Sequence, residues 1–341
     1  MPPAQTNNTK NPAAPRIDVE PAVSTSITPD VARGLSAAVA RAVSKTELPQ
    51  ASPEIPSVSA TRSLSAYLLR RQNMVHRTAE RWRPPLFTAD VTPIARVVAA
   101  LRRCLDLQAG SIYRDLKAEL ARPHGLVLDV GCGAQPYRSL IHPQDRYLGI
   151  DIAASRDYFG YDVPDTIYYD GDTWPVTDAS VDTILCTETL EHVRDPGAFL
   201  AEAARVAKPG ATLLITVPFS ARWHFIPHDY WRYTPSSLKN LLEAHGFSDV
   251  AVFARGNEIT VACYKWMALI LPLIMPTGKT PIAAALLRLI GLLFSPLLLI
   301  LAVVANLSLL GRGGDDCLGY TAVAIGGKSK RVYNSSREQS P

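Results

Sequence analysis

From Leu126 onward the chain repeats one cycle: a short apolar or β-branched run, a turn rich in Gly, Asp or Pro, then a stretch with apolar residues three and four apart. The runs LVLDV (from Leu126), YLGID (Tyr147–Asp151), TIYYD (Thr166–Asp170), VDTILCTE (Val181–Glu188) and ATLLITVPF (Ala211–Phe219) predict strands, and FSDVAVFARG predicts a sixth. Between the fourth and fifth, DPGAFLAEAARVAKPG predicts a helix with Asp195 as its cap, Pro196 at the first helical position and Pro209-Gly210 as its stop. Strands that alternate with helices form a mostly parallel sheet with helices on both faces. Ligands of such sheets bind beyond the carboxyl ends of the strands, so the residues of interest follow each run.

The flanking patterns differ. Residues 1–60 hold no aromatic residue and are rich in Pro, Ala, Ser and Thr, a composition expected to stay disordered because too little apolar surface is available to offset the ordering entropy. Residues 61–121 turn helical, with SLSAYLLRRQNMVHRTAERW and PIARVVAALRRCLDL on either side of Pro84-Pro85; their arginines read as a solvated helix face or as a membrane contact. Residues 259–312 are strongly apolar, and Leu289–Ala305 carries no charge; as one helix it would span about 25 Å, short of a ~30 Å hydrocarbon core. Pro272, Pro276 and Pro296 interrupt the segment. LGYTAVAIGG, within residues 313–330, then returns as a strand beside the sixth, ahead of a flexible tail at 331–341. Because both flanking strands belong to one domain, the insertion has to enter and leave on the same side. It reads as a re-entrant or hairpin element on the cytoplasmic face of a membrane, or as a buried dimerisation or core element of a cytoplasmic protein.

Charge adds little, since 35 Lys and Arg against 31 Asp and Glu are spread along the chain, and no nucleic-acid partner is expected. The five cysteines are widely spaced and form no CxxC pair, which points to a reducing compartment and away from a disulfide framework or a zinc site. The first residues lack the pattern of a secretory signal.

LVLDVGCGAQPY places Gly131 and Gly133 directly after the first strand, where bare backbone lets N–H groups approach a ligand. Asp151 follows about 20 residues later at the end of the second strand, suited to the vicinal hydroxyls of a ribose. A dinucleotide fingerprint wants a third glycine, but position 136 is proline, preceded by Gln135. That disfavours NAD and leaves another adenosine-containing cofactor.

Taken together, LVLDVGCG, YLGIDI and YYDGDTWPVTDASVDTILCTETLEHVRDPGAFLAEAARVAKPGATLLITVPF resemble the class I S-adenosylmethionine-dependent methyltransferases, in the methyltransferase type 11 group, over roughly residues 126–250. The resemblance implies an α/β, Rossmann-like domain whose first part is residues 122–258, with N-terminal helices and the apolar helical insertion before its last strand. It implies S-adenosyl-L-methionine as cofactor, with Asp129, Gly131, Cys132 and Gly133 at the methionine end, and Asp151 and Ile152 at the ribose. Asp170, Gly171 and Asp172 would lie at the adenine. Thr187 and Glu188, with Leu190, Glu191 and His192 of the LEH motif, would lie where the cofactor pocket meets the acceptor.

After the fifth strand, PFSARWHFIPHDYWRYTPSSL gathers Trp223, Asp229, Tyr230, Trp231, Arg232 and Tyr233, either as acceptor contacts or as a packed lid. A sulfonium methyl is already activated, so the protein mainly aligns the acceptor and excludes water. A hydroxyl acceptor would benefit from a base, and His192, His224 and His228 are the candidates. Pro227 breaks any helix that would set His224 and His228 on one face, so no metal is expected. Relatives with a similar HDYWRYT run accompany surface-polysaccharide or lipid-linked glycan synthesis, which implies a saccharide or lipid-linked acceptor. A quinone or other small lipid, or a scaffold that keeps the fold without turnover, are the rival readings.

Overall fold

The computed structural model describes residues 71, 74–78, 80, 93–159, 162–163, 165–171, 173–277 and 279–326. The expected disordered segment 1–60, most of the helical segment before Pro93, Asp172 and the tail 331–341 lie outside the described residues. Contacts divide the chain into residues 1–72 and 73–341, and it is the second unit that carries the sheet.

Among the described residues two α-helices precede the sheet, α1 (Pro93–Leu105) and α2 (Leu107–Glu119). The run PIARVVAALRRCLDL, expected as one helix, breaks at Asp106, whose carboxylate accepts the Ala109 N–H at 3.2 Å and caps α2. Leu107, Ile112 and Leu116 are thereby buried, while Val97, Val98 and Leu101 of α1 remain exposed.

The sheet follows in chain order: β1 (Leu126–Val130), β2 (Arg146–Ile152), α3 (Ala153–Phe159), β3 (Thr166–Tyr169), β4 (Val181–Thr187), α4 (Pro196–Val206), β5 (Ala207–Pro218), α5 (Pro235–Ala244) and β6 (Ser248–Arg255). With β7 (Gly319–Ile325) it has seven strands in the order β3-β2-β1-β4-β5-β7-β6. β7 runs antiparallel to both neighbours and the other pairs are parallel. The central strands β1, β4 and β5 are apolar on both faces, as strands covered by helices on both sides must be. Pro209-Gly210 does not separate helix from strand as expected. α4 ends at Val206, and residues from Ala207 already belong to β5. The ladder steps from Val181↔Ala207 to Thr183↔Thr212, and Gly210, at φ 82°, sits in the extra backbone that this irregularity accommodates.

Between β6 and β7 lie α6 (Glu258–Ile274), α7 (Pro281–Leu293) and α8 (Ser295–Ser308). Asn257 opens α6 by accepting the Ile259 and Thr260 N–H groups. Leu289–Ala305 is not one helix: Pro296 stands in the first turn of α8, and α7 and α8 meet at a 55° bend. Among the described residues no single helix is long and apolar enough to cross a membrane, although α7 and α8 together pass that test. α6 and α8 bury one face each, Val261, Met267, Ile270, Leu298, Ala302 and Ala305 packing with Leu107 and Leu318. α7 buries Gly291, where a Cβ would lie 2.7 Å from the Ile274 nitrogen. Ile282, Leu286, Leu289 and Leu293 of α7 stay exposed, as do Leu299, Ile300, Val303 and Leu307 of α8.

Candidate active site

Asp129 and the turn after β1 lie beside the end of β2, because Val130 pairs with Ile150. The glycines act here differently from the sequence expectation. The Gly131 and Cys132 N–H groups donate to Ile150 O at 2.9 and 3.2 Å, and the Gly133 N–H donates to Asp151 Oδ2 at 2.8 Å. These donors are spent on holding β1 to β2, so what the glycines supply is space and conformation. Gly131 has φ 69°, and a Cβ on it would lie 2.4 Å from Thr189 Cγ2. Cys132 is buried, with Sγ 3.6 Å from Thr166 Oγ1, and burial pushes its thiol up.

Three carboxylates end three successive strands. Asp129 is buried, and its Oδ2 accepts the Tyr147 hydroxyl at 2.8 Å, but its Oδ1 has no partner. Burial pushes its carboxyl up to about 7. Asp151, also buried, accepts from Ile152 N–H and Ser155 Oγ at 2.7 and 2.6 Å as well as from Gly133. Asp170 is exposed one residue past β3, beside the exposed Ile152 and Gly171. The Gly171 φ of 103° turns the chain where a Cβ would lie 3.5 Å from Ile152 Cγ2.

On the other side of β1, Thr187 ends β4 opposite Thr216, and Glu188 takes up a left-handed φ of 49° with its N–H on Thr216 O at 3.0 Å. The Glu188 carboxylate accepts Arg255 Nη2 at 2.8 Å, and Arg255 also donates to Ser111 Oγ and Val217 O, both at 3.1 Å. This buried arginine went unnoticed in sequence. Its only signal is a cation closing a strand just before the Gly256-Asn257 helix start.

The aromatic loop after β5 folds over the turn Leu190–His192. Tyr230 and Trp231 N–H groups donate to Glu191 O at 2.9 and 3.3 Å, and Trp231 Nε1 donates to Val193 O at 2.8 Å. Arg232 grips Asp229 with both Nη atoms at 2.6 and 2.8 Å, and the His224 N–H reaches the same carboxylate at 3.0 Å. Burial would raise the Asp229 carboxyl, but the Arg232 fork and His224 prevail and hold it below its ordinary range. Tyr233 belongs to the core, stacked on the exposed Trp231 at 6.3 Å between centroids. Trp223 lies under the Arg77 guanidinium at 5.8 Å. Glu80, absent from the sequence reading, accepts the Phe225 N–H at 2.9 Å and steadies the loop from far along the chain.

The three histidines do not converge together. His228 is exposed, with Nδ1 3.1 Å from the Tyr230 hydroxyl. His192 and His224 pack edge to face at 4.8 Å and turn toward Glu191 instead. Burial lowers His192 to about 4 and drives Glu191 far up.

Residues 105–252 match a family model described as a methyltransferase domain. A stretch of 115 residues is 35% identical to the ubiquinone biosynthesis O-methyltransferase of Hahella chejuensis, covering 34% of this chain and 42% of that one. Another, of 120 residues, is 32% identical to an uncharacterized 37.1 kDa protein in a transposon of Streptomyces fradiae, covering 32% of this chain and 34% of that one. The chain thus spans less than half the length of either curated relative. Among solved structures, a SAM-dependent methyltransferase of Thermotoga maritima aligns with a TM-score of 0.41 at 15% identity, over 68% of this chain and 97% of that one. One from Aquifex aeolicus aligns at 0.32 and 24%, over 39% and 77%.

Proposed function

Residues 105–252 being an S-adenosylmethionine-dependent methyltransferase domain, we propose that the protein moves a methyl group from that cofactor to an oxygen of a saccharide or lipid-linked acceptor at a membrane surface. The observation that carries the cofactor assignment is Asp129 Oδ1, a buried carboxylate oxygen without a donor. Leaving such an atom unpaired costs about 1–3 kcal/mol or more, and the ammonium of an amino-acid tail would satisfy it. Asp129 and the Gly131 turn would hold the methionine end, Asp151 the ribose and Asp170 the adenine side. Asp151 is preset by three donors of its own chain, so it is oriented before a ligand arrives. Bound there, the cofactor supplies a methyl on a sulfonium.

The chain's remaining work is to place an acceptor, exclude water and receive a proton. Tyr230 and Trp231 are the exposed aromatic surfaces beside Glu191, suited to stacking on a sugar ring or an isoprenoid. His192 and His224 keep Nε2 turned inward, toward Glu191.

Membrane residence is supported by the exposed apolar faces of α1, α7 and α8. Scattered exposed leucines are ordinary, but a run of them on adjoining helices is not. α7 and α8 are each about 20 Å long, too short to cross alone, so they lie in one leaflet. Exposed Lys279, Arg288 and Arg312 flank or interrupt these runs and would meet anionic headgroups. Lys265 is already donating to Ser220 O. Similarity to a ubiquinone biosynthesis O-methyltransferase supports a second reading, a quinone or other small lipid as acceptor.

Calorimetry with S-adenosylmethionine, its demethylated product and NAD tests the cofactor. Labelled methyl transfer into fractionated cell-envelope material tests the acceptor. Label in glycolipid or saccharide supports the first reading, and label in the quinone fraction the second. Cofactor binding without transfer to any fraction would leave a scaffold and overturn both.

A further inference from the structure

We propose that Glu191, His192 and His224 form a binding site for a first-row divalent transition-metal ion. The Glu191 carboxylate is wholly buried, and neither oxygen has a hydrogen-bond partner. Its Oε1 faces His192 Nε2 at 3.6 Å and His224 Nε2 at 4.0 Å, and the three donor atoms lie within 4.8 Å of one another.

The far side of each ring fixes what the near side can offer. His192 Nδ1 lies 2.8 Å from His228 O, which can only accept, so Nδ1 carries the proton. His224 Nδ1 lies 3.0 Å from Arg222 O and 3.0 Å from Asp229 Oδ2, again acceptors only. Both Nε2 atoms therefore present lone pairs toward the Glu191 carboxyl, and no other side chain or backbone donor among the described residues reaches its oxygens. The 3.6 and 4.0 Å separations exceed hydrogen-bond length, so a shared proton does not close the gap. Donors bound to one ion at about 2.1 Å each stand up to about 4.2 Å apart, so a small inward turn of a ring completes the site. Carbonyl and carboxylate partners on the outer nitrogens are the usual supports of metal-bound histidine, and Asp229 is itself locked by Arg232.

Two imidazoles and one carboxylate favour zinc, manganese, iron or cobalt over magnesium or calcium, and three protein ligands leave positions open. That an open position takes the acceptor oxygen rests on the methyl-transfer reading; the binding of the ion does not.

The test uses the full chain, stripped with chelator and titrated calorimetrically with Zn²⁺, Mn²⁺ and Co²⁺, with the visible spectrum of the cobalt form recorded. One ion per chain is expected. Affinity should fall by roughly a hundredfold or more in Glu191→Gln and in His224→Asn, and stay unchanged in His142→Asn, a half-buried histidine outside the cluster. Far-ultraviolet dichroism and cofactor affinity report whether each variant folds; if Glu191→Gln does not, His224→Asn decides. Failure of all three ions to bind, or wild-type affinity in a folded variant, sinks the site. Unchanged methyl transfer by the stripped protein would remove the ion's role in the reaction, whereas ion binding without any transfer would overturn the methyl-transfer reading and leave the site standing.

Discussion

Arg255 donates to Glu188 across 2.8 Å, tying the last residue of β6 to the residue that follows β4. The arginine side chain is 1% exposed and the glutamate 26%, so the pair is shielded on one side and open on the other. Breaking a buried pair from one side leaves the other charge uncompensated.

Arg255→Met should therefore destabilise the protein by about 3 kcal/mol, with Ser111 and Val217 also losing their donor. Glu188→Gln should cost less, and the double variant should cost less than the sum. Urea denaturation of the four proteins measures the coupling, and an Arg255→Met protein within about 0.5 kcal/mol of wild type would show that the pair does not hold the strands.

Asp129 should make both stability and cofactor affinity depend on pH. Its folded-state value of about 7 stands above the ordinary carboxyl value, so the folded state holds the proton more tightly than the unfolded one. This group's contribution is fully present below about pH 4 and is lost as pH rises through 7. Thermal melts of the cofactor-free protein should show that loss, and Asp129→Asn should flatten it. Because an ammonium pairs with the ionised carboxylate, wild-type cofactor affinity should rise through the same window. In Asp129→Asn it should be weaker by about 1.5–3 kcal/mol and nearly level. A parallel pH profile in both proteins would remove Asp129 from the cofactor site.

Gly131→Ala should cost about 2–4 kcal/mol, combining a left-handed φ with the overlap on Thr189. Thr189→Ala in the same chain should restore the steric part and leave about 1–2 kcal/mol for the backbone. If the second substitution restores nothing in a denaturation series, the Thr189 contact is not what selects glycine.

Leu286→Glu with Leu293→Glu should release the protein from anionic vesicles in a flotation assay while leaving cofactor affinity as it was, since both side chains are exposed on α7. Retention on vesicles at wild-type level would move the membrane contact elsewhere, and wild-type protein that never floats would refute it.

The strands were legible because β1 and β4 are buried on both faces and their apolar runs stop at Gly131 and Glu188. The acids at strand ends followed from that alternation alone. The Glu191–His224 approach was not legible, since it depends on a turn through Phe225, at φ 48°, that no periodicity announces. Nor was the use of the Gly131 and Cys132 N–H groups, because pairing to Ile150 O is a property of two strands in register. LGYTAVAIGG read as a strand beside β6, yet its position between β5 and β6 rests on long-range pairing such as Thr216↔Thr321.

That position sets a timetable for biosynthesis. β6 has β7 as its one neighbour among the described strands, and β5 needs β7 on the same side. Yet α6, α7 and α8 all leave the ribosome before Gly319 does. At ~5–20 residues per second, β6 waits roughly 3–13 seconds and β5 roughly 5–20 seconds with open edges while the apolar helices emerge. The nascent chain must therefore shelter those helices first, and only then can the last strand close the sheet that carries the chemistry.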